Sequence, residues 1–138
     1  MKRCLFLVVA VLLLLAGCTD TINGKSVAEP RVALFHEQLN AGQYDQIYDE
    51  ADDGFRNAAP REKVLALFAA IDTKLGKVQS SSISSWRVNT YNLATRVVLV
   101  ADTRFEHGSG TETFTYGVSD GKATLIGYNI NSLEMMTR

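Results

Sequence analysis

The fold class follows from the stretch PREKVLALFAAIDTKLG, residues 60–76, and from the change of hydrophobic pattern at its end. Pro60 suits the first turn of a helix, because its missing N–H has no helical partner to lose there. Gly76 is typical of the residue that ends a helix. Between them, one face carries the apolar residues Val64, Leu67, Phe68, Ile71 and Leu75. This spacing predicts an amphipathic helix that buries that face.

Beyond this helix the sequence predicts β-strands, because Ser, Thr, Val, Tyr and Trp become frequent and the period falls to two. The strongest strand lies at 96–101, and a second, alternating strand runs over 111–118. Asp120-Gly121 is typical of a tight hairpin turn and leads into a returning strand at 123–130. A weaker, serine-rich strand over 78–91 comes first, and we expect it at an exposed edge of the sheet.

Two further helices are expected upstream. Val32, Phe35 and Leu39 lie at helical spacing, and a second, shorter helix over 44–51 is ended by Gly54. About three N-terminal helices followed by about four strands predict an α+β domain. In such a domain the helices pack on one face of a twisted antiparallel sheet.

The N-terminal segment resembles the signal peptide of bacterial lipoproteins. Lys2 and Arg3 precede an apolar run that closes with Leu15-Ala16-Gly17-Cys18, which looks like a lipobox. The run is too short for a transmembrane helix, which needs about 17 to 25 predominantly apolar residues. The resemblance implies that residues 1–17 are removed and that Cys18 is acylated, which anchors the protein stably to a membrane.

We therefore expect a signal peptide at 1–17, a lipidated tether at 18–26 and a single domain at 27–138. The chain has two cysteines, and neither Cys4 in the signal nor the acylated Cys18 is left for a disulfide. The formal charge is −1 and becomes more negative when the signal leaves. A mildly acidic domain is a poor nucleic-acid binder, because phosphate contacts need Lys and Arg.

The residue after the acylated cysteine predicts which of the two bacterial membranes holds the lipoprotein. Lipoproteins held at the inner membrane typically carry Asp there, whereas this chain has Thr19. We expect the periplasmic face of the outer membrane, with the inner membrane as the alternative.

Several segments resemble small bacterial lipoproteins with a nuclear transport factor 2-like or cystatin-like domain. They are FHEQLNAGQY at 35–44, Ile47-Tyr48, Leu75-Gly76 and FEHG at 105–108. The resemblance implies a space between the helices and the sheet, here called the cone. Isomerase-like enzymes of that superfamily use this space. Dimers that form through the open face of the sheet are common in the superfamily, so a second copy of the chain is one expected partner.

The interior-facing candidates for a ligand site in the cone are Tyr44, Tyr48, Trp86, Tyr116 and Tyr128. Rings on core faces usually pack with a satisfied hydroxyl. The pattern places no acidic residue on an apolar stripe, where such enzymes need a carboxyl. We therefore assign no catalytic residue and no cofactor. A deep open cone would favour ligand binding, whereas a cone filled by Phe35, Phe68, Trp86 and Phe114 would favour a binding domain without catalysis.

No metal site is predicted. A zinc site needs three or four ligands, and the only two histidines are far apart in the sequence. We expect His36 at the surface or the boundary of a helix and His107 in a loop. The acidic segment from Asp49 resembles a calcium loop only superficially. Ala51 and Pro60 stand at its third and twelfth positions, where ligands are required.

The acidic residues Asp49, Asp52 and Asp53 form a candidate partner surface. The predicted helix over 44–51 would place Asp52 and Asp53 at its negative end, which is unfavourable. Such breaks of a local rule sometimes mark a functional surface. The implied partner is a periplasmic protein with a basic patch.

Three functions stay open on the sequence alone. The first is a non-enzymatic envelope domain that binds a periplasmic protein, and the second is a small-ligand carrier or isomerase-like enzyme that uses the cone. The third is an immunity or stress accessory protein that blocks a partner. The familiar hydrolase and transferase classes are disfavoured, because no G-x-S-x-G elbow or glycine-rich phosphate loop occurs.

Overall fold

The computed structural model describes the backbone of residues 19–137 and side chains from Gly24 onward. The predicted signal peptide and Cys18 lie outside the described residues. In chain order the elements are helices α1 (Thr19–Asn40), α2 (Tyr44–Glu50), α3 (Asp53–Ala58) and α4 (Arg61–Leu75), strands β1 (Val78–Tyr91), β2 (Ala94–Phe105), β3 (Gly108–Ser119) and β4 (Lys122–Asn131), and helix α5 (Leu133–Thr137). None of the described helices is long and apolar enough to cross a membrane.

The α+β prediction is confirmed. The four strands form one antiparallel sheet in the order β1-β2-β3-β4, so each strand pairs with its neighbour in sequence. The predicted placement of every helix before the sheet is wrong, since four of the described helices precede it and α5 follows it. Lys74 on α4 holds α5 by donating to the carbonyl of Met135 at 2.8 Å.

Helix α4 is the helix that the opening stretch predicts. It buries Val64, Phe68, Ile71 and Leu75 against the sheet, whereas Leu67 lies at the exposed margin of the stripe. Gly76 ends the helix with φ of +76°, a conformation that glycine adopts without strain, and its N–H donates to Asp72 O at 2.9 Å.

Helix α1 is longer than expected, and it includes residues 19–26, which the sequence predicts as part of a tether. From Gly24 onward it packs on the sheet: a Cβ on Gly24 would lie 3.3 Å from Val97 Cγ2. At its other end the Asn40 amide bonds both backbone polar groups of Val78, donating to O at 3.1 Å and accepting from N at 2.8 Å. Helix α1 therefore runs alongside β1 in the opposite direction.

The second predicted helix, over 44–51, corresponds to α2, and a further helix that was not predicted follows it. Helix α2 ends at Glu50, and Asp52 caps the new helix α3 by accepting the Gly54 N–H at 2.7 Å. Gly54 therefore lies in the first turn of α3 and does not end a helix. Asp52 and Asp53 stand at the positive end of α3, where acidic residues are favourable, so the predicted clash with a helix dipole is wrong.

The serine-rich strand β1 lies at the edge of the sheet, as expected. Its register with β2 shifts between Val78 and Ser80 and again between Ile83 and Ser85. Polar residues and bulges of this kind discourage pairing with another chain.

Candidate functional site

A buried polar cluster lies between α1 and the sheet. Glu112 on β3 is 0% exposed, and three side chains form hydrogen bonds with its carboxyl group. Tyr128 OH donates to Oε1 at 2.7 Å and Thr103 Oγ1 donates to Oε2 at 2.5 Å. His36 Nε2 lies 2.7 Å from the same Oε2. We call these four residues the Glu112 cluster.

Four elements position the Glu112 cluster. Thr103, Glu112 and Tyr128 come from the adjacent strands β2, β3 and β4, on the face covered by helices. In the register Glu112 lies opposite Ala101 and Ile130, so Thr103 and Tyr128 reach it diagonally. Helix α1 brings His36 from above the sheet.

The cluster is built to hold a carboxylate. Its oxygens meet two hydroxyl donors and an imidazole nitrogen, which satisfies a buried polar group that would otherwise destabilise the fold. Thr103 Oγ1 also lies 2.8 Å from Ser81 Oγ, which carries the hydrogen-bond chain to the sheet edge. Because Glu112 is wholly buried and its partners are protein groups, the arrangement is suited to holding α1 on the sheet rather than to general-base chemistry on a ligand.

Sequence reasoning missed this cluster. The expectation that no acidic residue lies on an apolar stripe is wrong, and so is the placement of His36 at the surface or the boundary of a helix, since it is 6% exposed. A signal was present: the alternation of β3 puts Glu112 on the same face as Phe114 and Tyr116. An acid on such a face needs a buried partner, which the sequence does not identify.

Aromatic rings fill the cone. The Phe35 ring centroid lies 5.7 Å from that of Phe68, 5.1 Å from Phe114 and 4.8 Å from Tyr128. We call Phe35, Phe68, Phe114 and Tyr128 the aromatic plug. The expectation that Trp86 also lies inside the cone is wrong. It is 49% exposed on the edge strand β1, with Lys25 Nζ 5.7 Å from its ring.

The space left at the mouth of the cone is about 20 Å³, beside Tyr116, which is room for about one water molecule. Polar side chains close that mouth: Gln38 donates to Glu50 at 3.2 Å, and Arg31 lies 3.7 Å from the same carboxylate. This end of the cone therefore lacks room for a substrate-sized ligand. A shallower groove of about 590 Å³ lies outside it, between α1 and the edge strand β1, and His36 and Asn40 are among its lining residues.

The predicted ligand residues do not converge on one space. Tyr48 donates its hydroxyl to Arg56 O at 2.9 Å, and Tyr44 is half-buried between α2 and α4 with its ring 6.1 Å from that of Phe68. Tyr116 and Tyr128 lie in the core, and burial raises the pKa of each, with the Glu112 carboxylate adding to the effect at Tyr128. The Tyr128 hydroxyl donates to Glu112, so it is already bonded within the protein.

A separate apolar cavity of about 230 Å³ lies between α3, α4 and β4. Phe55, Val64 and Tyr128 are among its lining residues. Ligand pockets usually measure about 300 to 1,000 Å³. The cavity falls below that range, and the Tyr128 hydroxyl is already bonded to Glu112.

The predicted partner surface occupies the corner formed by α2 and α3. Arg61 bonds Asp49 at 2.5 Å and also pairs with Asp45, while Arg56 pairs with Asp53. The hydrogen bond from Arg61 lowers the pKa of Asp49, and its acidic partners raise the pKa of Arg61. Each acid of the predicted surface therefore has a partner within its own chain, counting the helix cap made by Asp52.

Within residues 24–137 no group of three or more His, Cys, Asp or Glu side chains is placed to hold a metal ion. His107 lies in the exposed turn between β2 and β3, where its backbone N–H donates to Leu75 O at 2.8 Å.

No protein-family model matches the chain, and no curated protein matches its sequence.

Proposed function

We propose that this protein is a lipid-anchored envelope lipoprotein whose domain faces the periplasm and binds a protein partner through its surface, without catalysis. The filled cone carries this proposal. Phe35, Phe68, Phe114 and Tyr128 occupy the space in which a carrier or an isomerase-like enzyme would hold its ligand. With about 20 Å³ left at its mouth, surface binding is the function that this geometry favours.

We also propose that the domain is of the nuclear transport factor 2-like or cystatin-like type. Helices packed on one face of a four-stranded antiparallel sheet, with a core between the two, support that assignment. The aromatic plug then distinguishes this domain from ligand-binding examples of such folds.

The lipid anchor has a direct test. Cys18→Ser removes the thiol that would be acylated, so we expect loss of acyl labelling and accumulation of an uncleaved precursor or a soluble form. Metabolic labelling with a palmitate analogue measures this, and Cys4→Ser is the matched control because that residue lies in the predicted signal. Normal labelling of the Cys18 variant would rule out the anchor. Wild-type protein in the inner-membrane fraction would overturn only the outer-membrane assignment.

The acidic corner is the proposed partner surface. It holds five carboxylates at Asp45, Asp49, Glu50, Asp52 and Asp53, against three paired cations at Arg31, Arg56 and Arg61. The surplus of negative charge suits a basic patch on a partner.

The surface proposal is tested by cross-linking in intact envelopes. Asp49→Asn with Asp53→Asn should reduce the cross-linked partner several-fold and leave the fold intact, because exposed ion pairs contribute little to stability. Asp52 is kept because it caps α3. Tyr116→Phe, a change at the mouth of the cone, is the control and should retain the partner. The reverse pattern would favour the ligand-carrier alternative, and a partner that is an enzyme inhibited by the domain would favour an immunity role.

A further inference from the structure

The turn between β1 and β2 exposes apolar side chains that nothing in the described chain covers. Leu93 is 100% exposed and Tyr91 is 78% exposed. The central residues Asn92 and Leu93 both have positive φ, +48° and +65°. This left-handed conformation is unfavourable for leucine, which therefore bears backbone strain as well as full exposure to water.

The turn between β3 and β4 provides an internal comparison. It has the same two positive φ angles, +51° at Asp120 and +70° at Gly121, and it uses the residue pair preferred for this geometry. In the turn between β1 and β2, Asn92 is a preferred residue at the first position, but Leu93 stands at the second position, where glycine is preferred. A leucine that is both strained and exposed indicates a role outside the folded domain.

The turn lies at the end of the domain where the described chain begins. Helix α1 and strand β1 run in opposite directions, with Gly24 beside Val88 and Asn40 beside Val78. From that first contact, Thr19 lies about 8 Å further along the helix at 1.5 Å per residue. The turn lies about 13 Å further along the strand at 3.3 Å per residue. Thr19, the first described residue, and the turn therefore lie at the same end of the domain.

We propose that the Tyr91–Leu93 turn is a second membrane contact, which inserts into the lipid surface that holds the acylated Cys18. The proposal rests on the lipid anchor proposed above. Leucine suits the apolar layer, and tyrosine suits the interface between that layer and water. Arg96, which lines the groove beside Leu93, is exposed and forms no ion pair within the described residues, so it can meet anionic headgroups. Two contacts would fix the orientation of the domain on the membrane.

Spin labels on single cysteines test this contact in the acylated protein. Once the signal is removed, the blocked Cys18 is the only cysteine of the chain, so Ala94→Cys accepts one nitroxide beside the turn. Ser109→Cys is the matched control, because it is exposed at the opposite end of the sheet. The protein is reconstituted in vesicles of phosphatidylethanolamine and phosphatidylglycerol. The accessibility of each label to oxygen and to a water-soluble nickel chelate is then measured.

We expect the label at residue 94 to favour oxygen and the label at 109 to favour the nickel chelate. Leu93→Gly should lower the membrane-contacting population of the label at 94 roughly tenfold. It should not destabilise the fold, since it creates the preferred Asn-Gly turn. Equal accessibility at residues 94 and 109 would overturn the proposal. A label at 94 that is shielded from both reagents would indicate a second copy of the chain instead of lipid, and would also overturn it.

Mass spectrometry of the N-terminal peptide distinguishes failure of the proposed lipid anchor from failure of the proposed second membrane contact. An unacylated Cys18 would overturn the anchor and the second contact together. An acylated Cys18 with a water-exposed label at residue 94 would overturn the second contact alone.

Discussion

Replacing Glu112 by alanine is expected to lower the free energy of unfolding by several kcal/mol, because each buried polar group left without a partner costs about 1 to 3 kcal/mol. The change would leave the donors of Tyr128, Thr103 and His36 without their shared acceptor. It would also loosen α1 from the sheet, because His36 is the helix residue in the cluster. Equilibrium unfolding of the unacylated domain in urea measures the effect.

Glu37→Ala is the matched control for this prediction. Glu37 is an exposed acid one residue from His36, so its removal should change stability by about 0.5 kcal/mol or less. The double variant His36→Ala with Glu112→Ala should lose less than the sum of the single losses, because the two side chains interact directly. A Glu112 variant as stable as the Glu37 variant would show that the cluster does not hold the domain together.

Phe68→Ala is expected to destabilise the domain by about 3 to 5 kcal/mol, the range for truncating a buried phenylalanine. Phe68 is fully buried on α4, and its ring centroid lies 5.7 Å from that of Phe35 and 6.1 Å from that of Tyr128. The substitution therefore removes the one aromatic ring that α4 adds to the group of Phe35, Phe68, Phe114 and Tyr128 in the cone. The midpoint of thermal unfolding should fall accordingly.

Lys63→Ala on the exposed side of the same helix is the control, and it should leave the midpoint nearly unchanged. Because the lost ring also opens space in the cone, an apolar dye should bind Phe68→Ala better than wild type. Equal midpoints for the two variants would place Phe68 outside the core and would reopen the question of an empty cone.

The sequence predicted the elements whose signals are local. The stripe of α4 and the stop at Gly76 depend on residues within a few turns of one another, and the Asp120-Gly121 turn depends on the conformations of two residues. The strand pattern after residue 76 is equally local. A sequence in which helices come before strands, with no internal repeat, then favours an α+β domain in which the helices pack on one face of an antiparallel sheet.

The break between α2 and α3 depends on a distant strand. The backbone N–H of Asp52 donates to Leu125 O on β4 at 2.8 Å, which leaves the Asp52 side chain free to cap α3. The sequence near Asp52 contains no sign of this partner, so its pattern predicts a single helix over 44–51 that Gly54 ends. The exposure of Trp86 has a similar origin: period two places it on the inner face, but β1 is an edge strand that the helices only partly cover.

By itself the sequence determined the α+β class, the amphipathic helix α4 and the positions of the four strands along the chain, because hydrophobic period and turn chemistry act over short distances. Only the tertiary structure decided the character of the interior. His36 and Glu112 are 76 residues apart in the chain, and their 2.7 Å contact exists only when α1 lies on the sheet. A buried acid is tolerated only where donors from several elements converge, and that convergence is a property of the packed domain rather than of any one segment.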